Sequence, residues 1–159
     1  MSGVLELDEE GCLNLLNTII VNRLGDAVDI ELFHDEDRVK ELVAEAHNYN
    51  VVVIMSNHDF EKVPAKYVIE FRLKKMAALG ADVPKLACMP HNAKDVLTLL
   101  SATNEVNEAI DNPLITMAMG DIGKVTRIAG QVFGSSLSFG AVGKTSAPGQ
   151  LSINDLRNA

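Results

Sequence analysis

Tryptophan is absent from this chain, aromatic residues make up only 4% of it, and two cysteines occur in 159 residues. A core without large rings has to be built from Val, Ile, Leu, Ala and Met. Cys12 and Cys88 stand far apart, with no C-x-x-C spacing. Two unclustered thiols fit a reducing compartment and small packed side chains rather than a disulfide framework. Basic residues are scarce too: 14 against 22 acidic ones give a net charge of −8. A field of that sign repels phosphate backbones, which argues against nucleic acid and anionic membrane as partners. No apolar run approaches the roughly 18–20 residues of a membrane helix. Met1–Glu10 carries neither a basic n-region nor an apolar h-region, so it does not read as a signal peptide.

What is present is an ordinary globular balance, 47% apolar and 23% charged, which excludes disorder and collagen-like composition. The expectation is one cytoplasmic domain spanning residues 1–159. A chain of this length buries about 68–70% of its unfolded surface, enough for a core without staples.

Two periods alternate along the chain. Val39, Leu42, Val43 and Ala46 repeat as i, i+3, i+4, i+7, the stripe of a helix with one buried face. Leu13, Leu16, Ile20 and Leu24 nearly do the same, with Gly25 as a stop. A third helix starts around Pro64, buries Ile69, Leu73 and Met76, and stops at Gly80. Val96, Leu99 and Leu100 mark a fourth, and Val125, Ile128 and Val132 a fifth. Between them lie apolar runs of strand length: Ala27–Phe33, Val51–Met55, Lys85–Met89, Leu114–Met119 and Leu137–Val142. Nearly continuous apolar runs suit strands covered on both faces in a parallel sheet. Helices between consecutive strands require right-handed crossovers. The pattern is therefore one helix followed by five βα units, all strands parallel.

A doubly wound sheet and part of a (β/α)₈ barrel both accommodate it. Length favours the former, because complete barrels usually need about 250 residues. The polar residues favour the latter: Glu31, His58, Lys85 and Thr116 sit in or at the ends of otherwise apolar strands. A barrel gathers its chemistry there, from several strands. A doubly wound site would instead be marked by a Gly-rich first βα turn, and no G-x-G-x-x-G follows the first strand.

Lys85 opens an apolar strand. Either its ammonium reaches solvent along its own stem, or it sits in a water-poor pocket where the neutral amine is a nucleophile toward carbonyls. His58 follows Val51–Met55 and could move the proton that imine chemistry needs removed from an adjacent carbon. Asp29 and Glu31 share a strand face, where they could act as acid and base or, in a supporting role, orient their neighbours. His34, Asp35, Glu36 and Asp37 open the next helix and complement its dipole. The four histidines show no metal-ligand spacing. Two phosphate-loop look-alikes fail: Ser138 stands where a leading Gly is required before Gly143-Lys144-Thr145, and Val125 replaces the Ser/Thr after Gly123-Lys124. Arg127, read as lying near the start of a helix, is either an exposed arginine or a clamp for a carboxylate.

Longer motifs carry a resemblance. Asp29-Ile-Glu31-Leu-Phe33, Met55-Ser-Asn-His-Asp-Phe60, Pro84-Lys85, Met89-Pro90, Ile115-Thr-Met117, Arg127-Ile-Ala-Gly130, Val132-Phe-Gly-Ser135 and Ser146-Ala-Pro-Gly-Gln150 occur in order. In these the chain resembles the type I 3-dehydroquinate dehydratases of the shikimate pathway, the route to chorismate and the aromatic amino acids. The resemblance implies a parallel barrel of TIM type and a lyase that converts 3-dehydroquinate to 3-dehydroshikimate by syn elimination of water. It implies that Lys85 forms a Schiff base with the substrate ketone and that His58 is the general acid/base, removing the neighbouring proton and assisting imine formation and hydrolysis. Arg127 would bind the substrate carboxylate, and Ser146 and Gln150 would grip its hydroxyls from a closing loop. No metal or organic cofactor is implied.

The chain departs from the family in lacking its N-terminal third, with Ser2-Gly3 standing where the last motif of that segment ends. The fold expected is thus an incomplete barrel, about strands four to eight of eight. Such a barrel cannot close, and its open edges invite pairing with another chain. The polypeptide alone is expected to be poorly active or silent, binding at most a small carboxylate, and to self-associate, most simply as a homodimer.

Overall fold

A computed structural model of the chain describes residues 7–158, so Ser2-Gly3 lies outside the described residues. The elements alternate as α1 (Glu9–Val21), β1 (Ala27–Glu31), α2 (Glu36–Asn48), β2 (Val52–Asp59), α3 (Lys66–Ala78), β3 (Val83–Cys88), α4 (Ala93–Ala109), β4 (Ile115–Ala118) and α5 (Gly120–Ala129). A 3₁₀ turn (Gly130–Phe133) and a short α6 (Ile153–Arg157) follow. Side-chain caps fix several helix starts: Asp8 accepts from Gly11 N, Asp35 from Arg38 N and Asn92 from Asp95 N. At the end of α3, Gly80 takes φ +94°, a conformation costly for any residue with a Cβ.

The four strands form one parallel sheet in the order β1-β2-β3-β4. Alternation along each strand sends Val28, Ile30, Val53, Met55, Leu86, Cys88 and Ala118 to one face. There they pack with α1 through α4, against Ile20, Val39, Val43, Ile69, Leu73, Met76, Leu99 and Val106. Burial in these surroundings pushes the Cys88 thiol up to about 12, so it stays protonated and unreactive near neutrality. Between α2 and α3, Glu36 takes hydrogen bonds from Lys40 and Lys75, which hold its carboxylate at about 2. That bridge therefore persists well into acid, although an exposed bridge adds little stability.

Among the described residues no helix covers the other face. It carries Asp29 and Glu31 from β1, Ile54, Ser56 and His58 from β2, Val83, Lys85 and Ala87 from β3, and Ile115 and Met117 from β4. Ala87, Ile115 and Met117 form a small separate cluster there, while Val52, at the start of β2, is 43% exposed. The expected cover on both faces is thus found on one. The apolar residues of the second face are inward positions of a barrel wall that the described residues build only in part.

The segment Leu137–Val142, read as a fifth strand, does not form one. Leu114 bridges Ser135, Ala141 bridges Ser152, and no ladder joins them. Backbone groups of the segment turn instead to residues 151–153, through Ala141 N to Leu151 O and Ile153 N to Ala141 O. A strand exists only when a neighbour supplies successive partners, and the outer edge of β4 is already occupied. Thr116 N donates to the Ser135 hydroxyl and Ala118 N to the Thr126 hydroxyl. The Ser135 hydroxyl in turn donates to Thr116 O, and Thr116 and Thr103 join hydroxyls at 2.7 Å. At the opposite side of the sheet, β1 has no strand on its outer edge among the described residues. Two helix readings also shift. Leu24 lies beyond the end of α1 and is exposed, and Arg127 falls in the last turn of α5, not near its start.

Candidate active site

His58 was expected just past its strand, but β2 continues to Asp59 and keeps the imidazole in the wall of the sheet. Register then decides which side chains meet. Ser56 pairs with Glu31 on one side and with Lys85 on the other, and His58 lies two residues on, on the same face. Lys85 and His58 therefore project from one side of the sheet and line the same cavity.

Lys85 neither reaches freely into water nor sits alone among apolar groups. Its side chain is 13% exposed, and Nζ donates to Asp29 Oδ2 at 2.7 Å. The Phe139 ring lies 5.3 Å from the same nitrogen, in cation–π range. The second oxygen of Asp29 accepts from the hydroxyl of Ser56, which is fully buried. His58 Nδ1 is bonded to Glu31. An ionised carboxylate only accepts, so Nδ1 carries the proton and Nε2 is the basic nitrogen of the ring. Phe60 stacks on the imidazole at 5.9 Å and 10° and fixes its plane. Asp29 and Glu31 thus serve different partners, one the amine and the other the imidazole.

Arg127 is 5% exposed, so the exposed reading fails. Its Nε and Nη2 are buried with no hydrogen-bond partner among the described residues, and desolvation lowers its pKa from the ordinary value. Guanidinium remains charged under such a shift. Two unpaired buried donors on a cation are costly, and a carboxylate is the group that satisfies both at once. A helical side chain leans toward the N-terminus of its helix, and Arg127 accordingly lines the same cavity as Lys85 and His58.

The far wall is the loop 146–150. Gln150 Oε1 accepts from the backbone N of Ser146 at 2.7 Å and from its hydroxyl at 3.1 Å, so the loop is folded on itself. It is pinned to the start of α5 by Gly120 N donating to Pro148 O at 3.1 Å. The approach is close enough to demand glycine: a Cβ on Gly149 would lie 2.1 Å from Gly120 O, and its φ is +72°.

Lys85, His58, Arg127, Ser146 and Gln150 converge on this single cavity of about 290 Å³, with Phe60, Met117 and Phe139 as apolar walls. Ser56, Phe60 and Phe139 were not singled out from the sequence. Ser56 carried a usable signal, since it is a polar residue two positions before His58 in a buried run and so must share its face. Phe139 carried none, because its segment was read as a strand. Among the described residues no three His, Cys, Asp or Glu side chains converge as a metal cluster would require.

Parallel strands with helices on one face, and with amine, imidazole and guanidinium gathered around one cavity on the other, define a partial barrel of the TIM type. The sequence profile of the type I 3-dehydroquinases matches residues 2–159, and the chain belongs to that family. It is 52% identical over 155 residues to a 3-dehydroquinate dehydratase of Lactiplantibacillus plantarum, covering 98% of this chain and 62% of the relative. A Listeria welshimeri 3-dehydroquinate dehydratase is 51% identical over 156 residues, with the same coverage. Among solved structures, the type I enzyme of Clostridium difficile, bearing a covalent modified comenic acid, superposes with a TM-score of 0.92 at 45% identity. That match covers 99% of this chain and 62% of the other. The chain spans about 62% of the length of the curated relatives it matches.

Proposed function

We propose that this cavity is a Schiff-base dehydratase site acting on 3-dehydroquinate. The observation that supports it most is the convergence of Lys85, His58 and the unpaired Arg127 on one cavity. Arg127 takes the substrate carboxylate, which orients the ring, and Ser146 and Gln150 exchange their mutual hydrogen bonds for bonds to its hydroxyls. The Lys85 amine adds to the ketone and water leaves, giving a protonated imine. That cation is an electron sink, so removal of the neighbouring proton by His58 Nε2 gives a stabilised enamine. Expulsion of the β-hydroxyl, protonated by the same imidazole, and hydrolysis of the imine then release 3-dehydroshikimate and regenerate the amine. Glu31 holds the imidazole in the required tautomer.

Borohydride reduction in the presence of 3-dehydroquinate tests this reading. A reduced adduct mapped by peptide mass to Lys85 is the expected result; a folded protein that yields none has no such activity.

We further infer that the chain self-associates in the cytoplasm through the outer edge of β1. Among the described residues β1 has no neighbour on its outer edge, and an unpaired edge beside exposed apolar wall positions is a template for a second copy. Sedimentation at micromolar concentration is expected to give a species heavier than the 17.2 kDa chain. Turnover without assembly is expected to be low, since the site stays open to water. A clean monomer with full turnover would contradict both.

A further inference from the structure

The imine chemistry proposed above runs through a cationic nitrogen, and the present inference rests on that reading. We propose that Phe139 is a catalytic residue whose ring face keeps the imine nitrogen of Lys85 in its cationic form. The ring lies under Nζ, with the nitrogen 5.3 Å from its centroid, and both side chains line the cavity. The other two apolar walls are placed differently. Phe60 stacks on His58, and Met117 belongs to the cluster with Ala87 and Ile115. Phe139 is held in place by the contacts of its own segment. Ala141 N donates to Leu151 O at 2.8 Å, Ile153 N donates to Ala141 O at 3.0 Å, and a Cβ on Gly140 would lie 3.1 Å from Ile153 Cα. The segment that forms no strand thus seats an aromatic face on the reacting amine.

An ammonium presents three N–H donors, and Asp29 Oδ2 accepts from Nζ at 2.7 Å. When ammonium and ketone become protonated imine and water, two of those protons depart with the carbonyl oxygen. The nitrogen keeps one proton and the positive charge. That charge is spread over the planar C=N⁺ unit, and a hydrogen bond to the single remaining N–H reaches only part of it. An aromatic face attracts such a cation through its quadrupole, most strongly once water is displaced. It also has no basic atom, so unlike a carboxylate it does not take the proton and discharge the electron sink. No bond forms or breaks on Phe139. The titratable groups around the nitrogen are Asp29 of β1, His58 of β2 with Glu31 of β1 bonded to it, and Arg127 of α5 on the same cavity. Carboxylates favour the cation and Arg127 opposes it, whereas the ring's contribution does not change with pH.

The test replaces Phe139, in the full chain, by mono-, di- and trifluorinated phenylalanine, which nearly keep the ring's size while weakening its quadrupole. Each protein is equilibrated with 3-dehydroquinate, and the adduct on Lys85 is reduced with cyanoborohydride, which takes only protonated imines. The extent of trapping is read by mass from about pH 6 to about pH 10. Each added fluorine is expected to lower the pH at which trapping is half lost, by about half a unit to one unit over the whole series. Phe139→Leu should fall at or beyond the trifluorinated ring, and Phe139→Tyr near wild type. Well below these midpoints all variants should trap to the same extent, which a misfolded protein would not do. A fluorinated series whose midpoints coincide, or Phe139→Leu matching wild type, makes the ring a passive wall and overturns the proposal. A wild-type chain that traps no adduct at any pH overturns the imine reading itself, and this proposal with it.

Discussion

Replacing Lys85 by methionine is expected to eliminate the borohydride-trapped adduct and to lower any dehydration by on the order of 10⁴-fold or more, the scale for loss of a covalent nucleophile. Lys85→Arg sharpens the result. A guanidinium can still pair with Asp29 and lie over Phe139, so fold and charge balance are kept, yet it does not deprotonate to attack a ketone. Both variants should therefore fail alike. Retained trapping in Lys85→Arg would move the chemistry to another amine. The comparison also separates the lysine's two roles, since Lys85→Met removes the ion pair seen at 2.7 Å and Lys85→Arg does not.

His58→Gln is expected to fail differently. The imine should still form and still be trapped on Lys85. Removal of the neighbouring proton should slow by about 10²–10⁴-fold, the usual contribution of a positioned general base. Exchange of that proton in deuterated water, read by mass spectrometry on the trapped adduct, isolates the step. An adduct that accumulates without exchanging is the expected signature. Loss of trapping as well would mean that the imidazole also serves imine formation.

Much of this arrangement was legible in the sequence because two physical periods were strong. The stripe Val39, Leu42, Val43, Ala46 and the run Ile69, Leu73, Met76 place their helix faces without ambiguity, and all are buried. Lys85 and His58 stood out because a polar residue inside an apolar run is costly unless it has a use. Asp29 and Glu31 were read as a pair on one face, which they are, but period alone could not say that they serve different partners. That depends on register between strands, which no single strand encodes. Arg127 was misplaced along its helix because α5 starts at Gly120 behind Met119, an N-cap residue whose side chain makes no capping hydrogen bond and so leaves no signal in the sequence. The segment Leu137–Val142 misled for a different reason. Its apolar content was sufficient for a strand, but the edge it would have joined is satisfied by hydroxyls of Ser135 and Thr126.

Those hydroxyls give the sheet a polarity of growth. Because hydroxyls of Ser135 and Thr126 seal β4, while β1 carries no strand on its outer edge among the described residues, the proposed self-association has one margin to use instead of two. Two copies that meet through β1 across a twofold axis consume both margins at once, so the expected aggregate is self-limiting, whereas a sheet sticky on both sides would propagate into fibres.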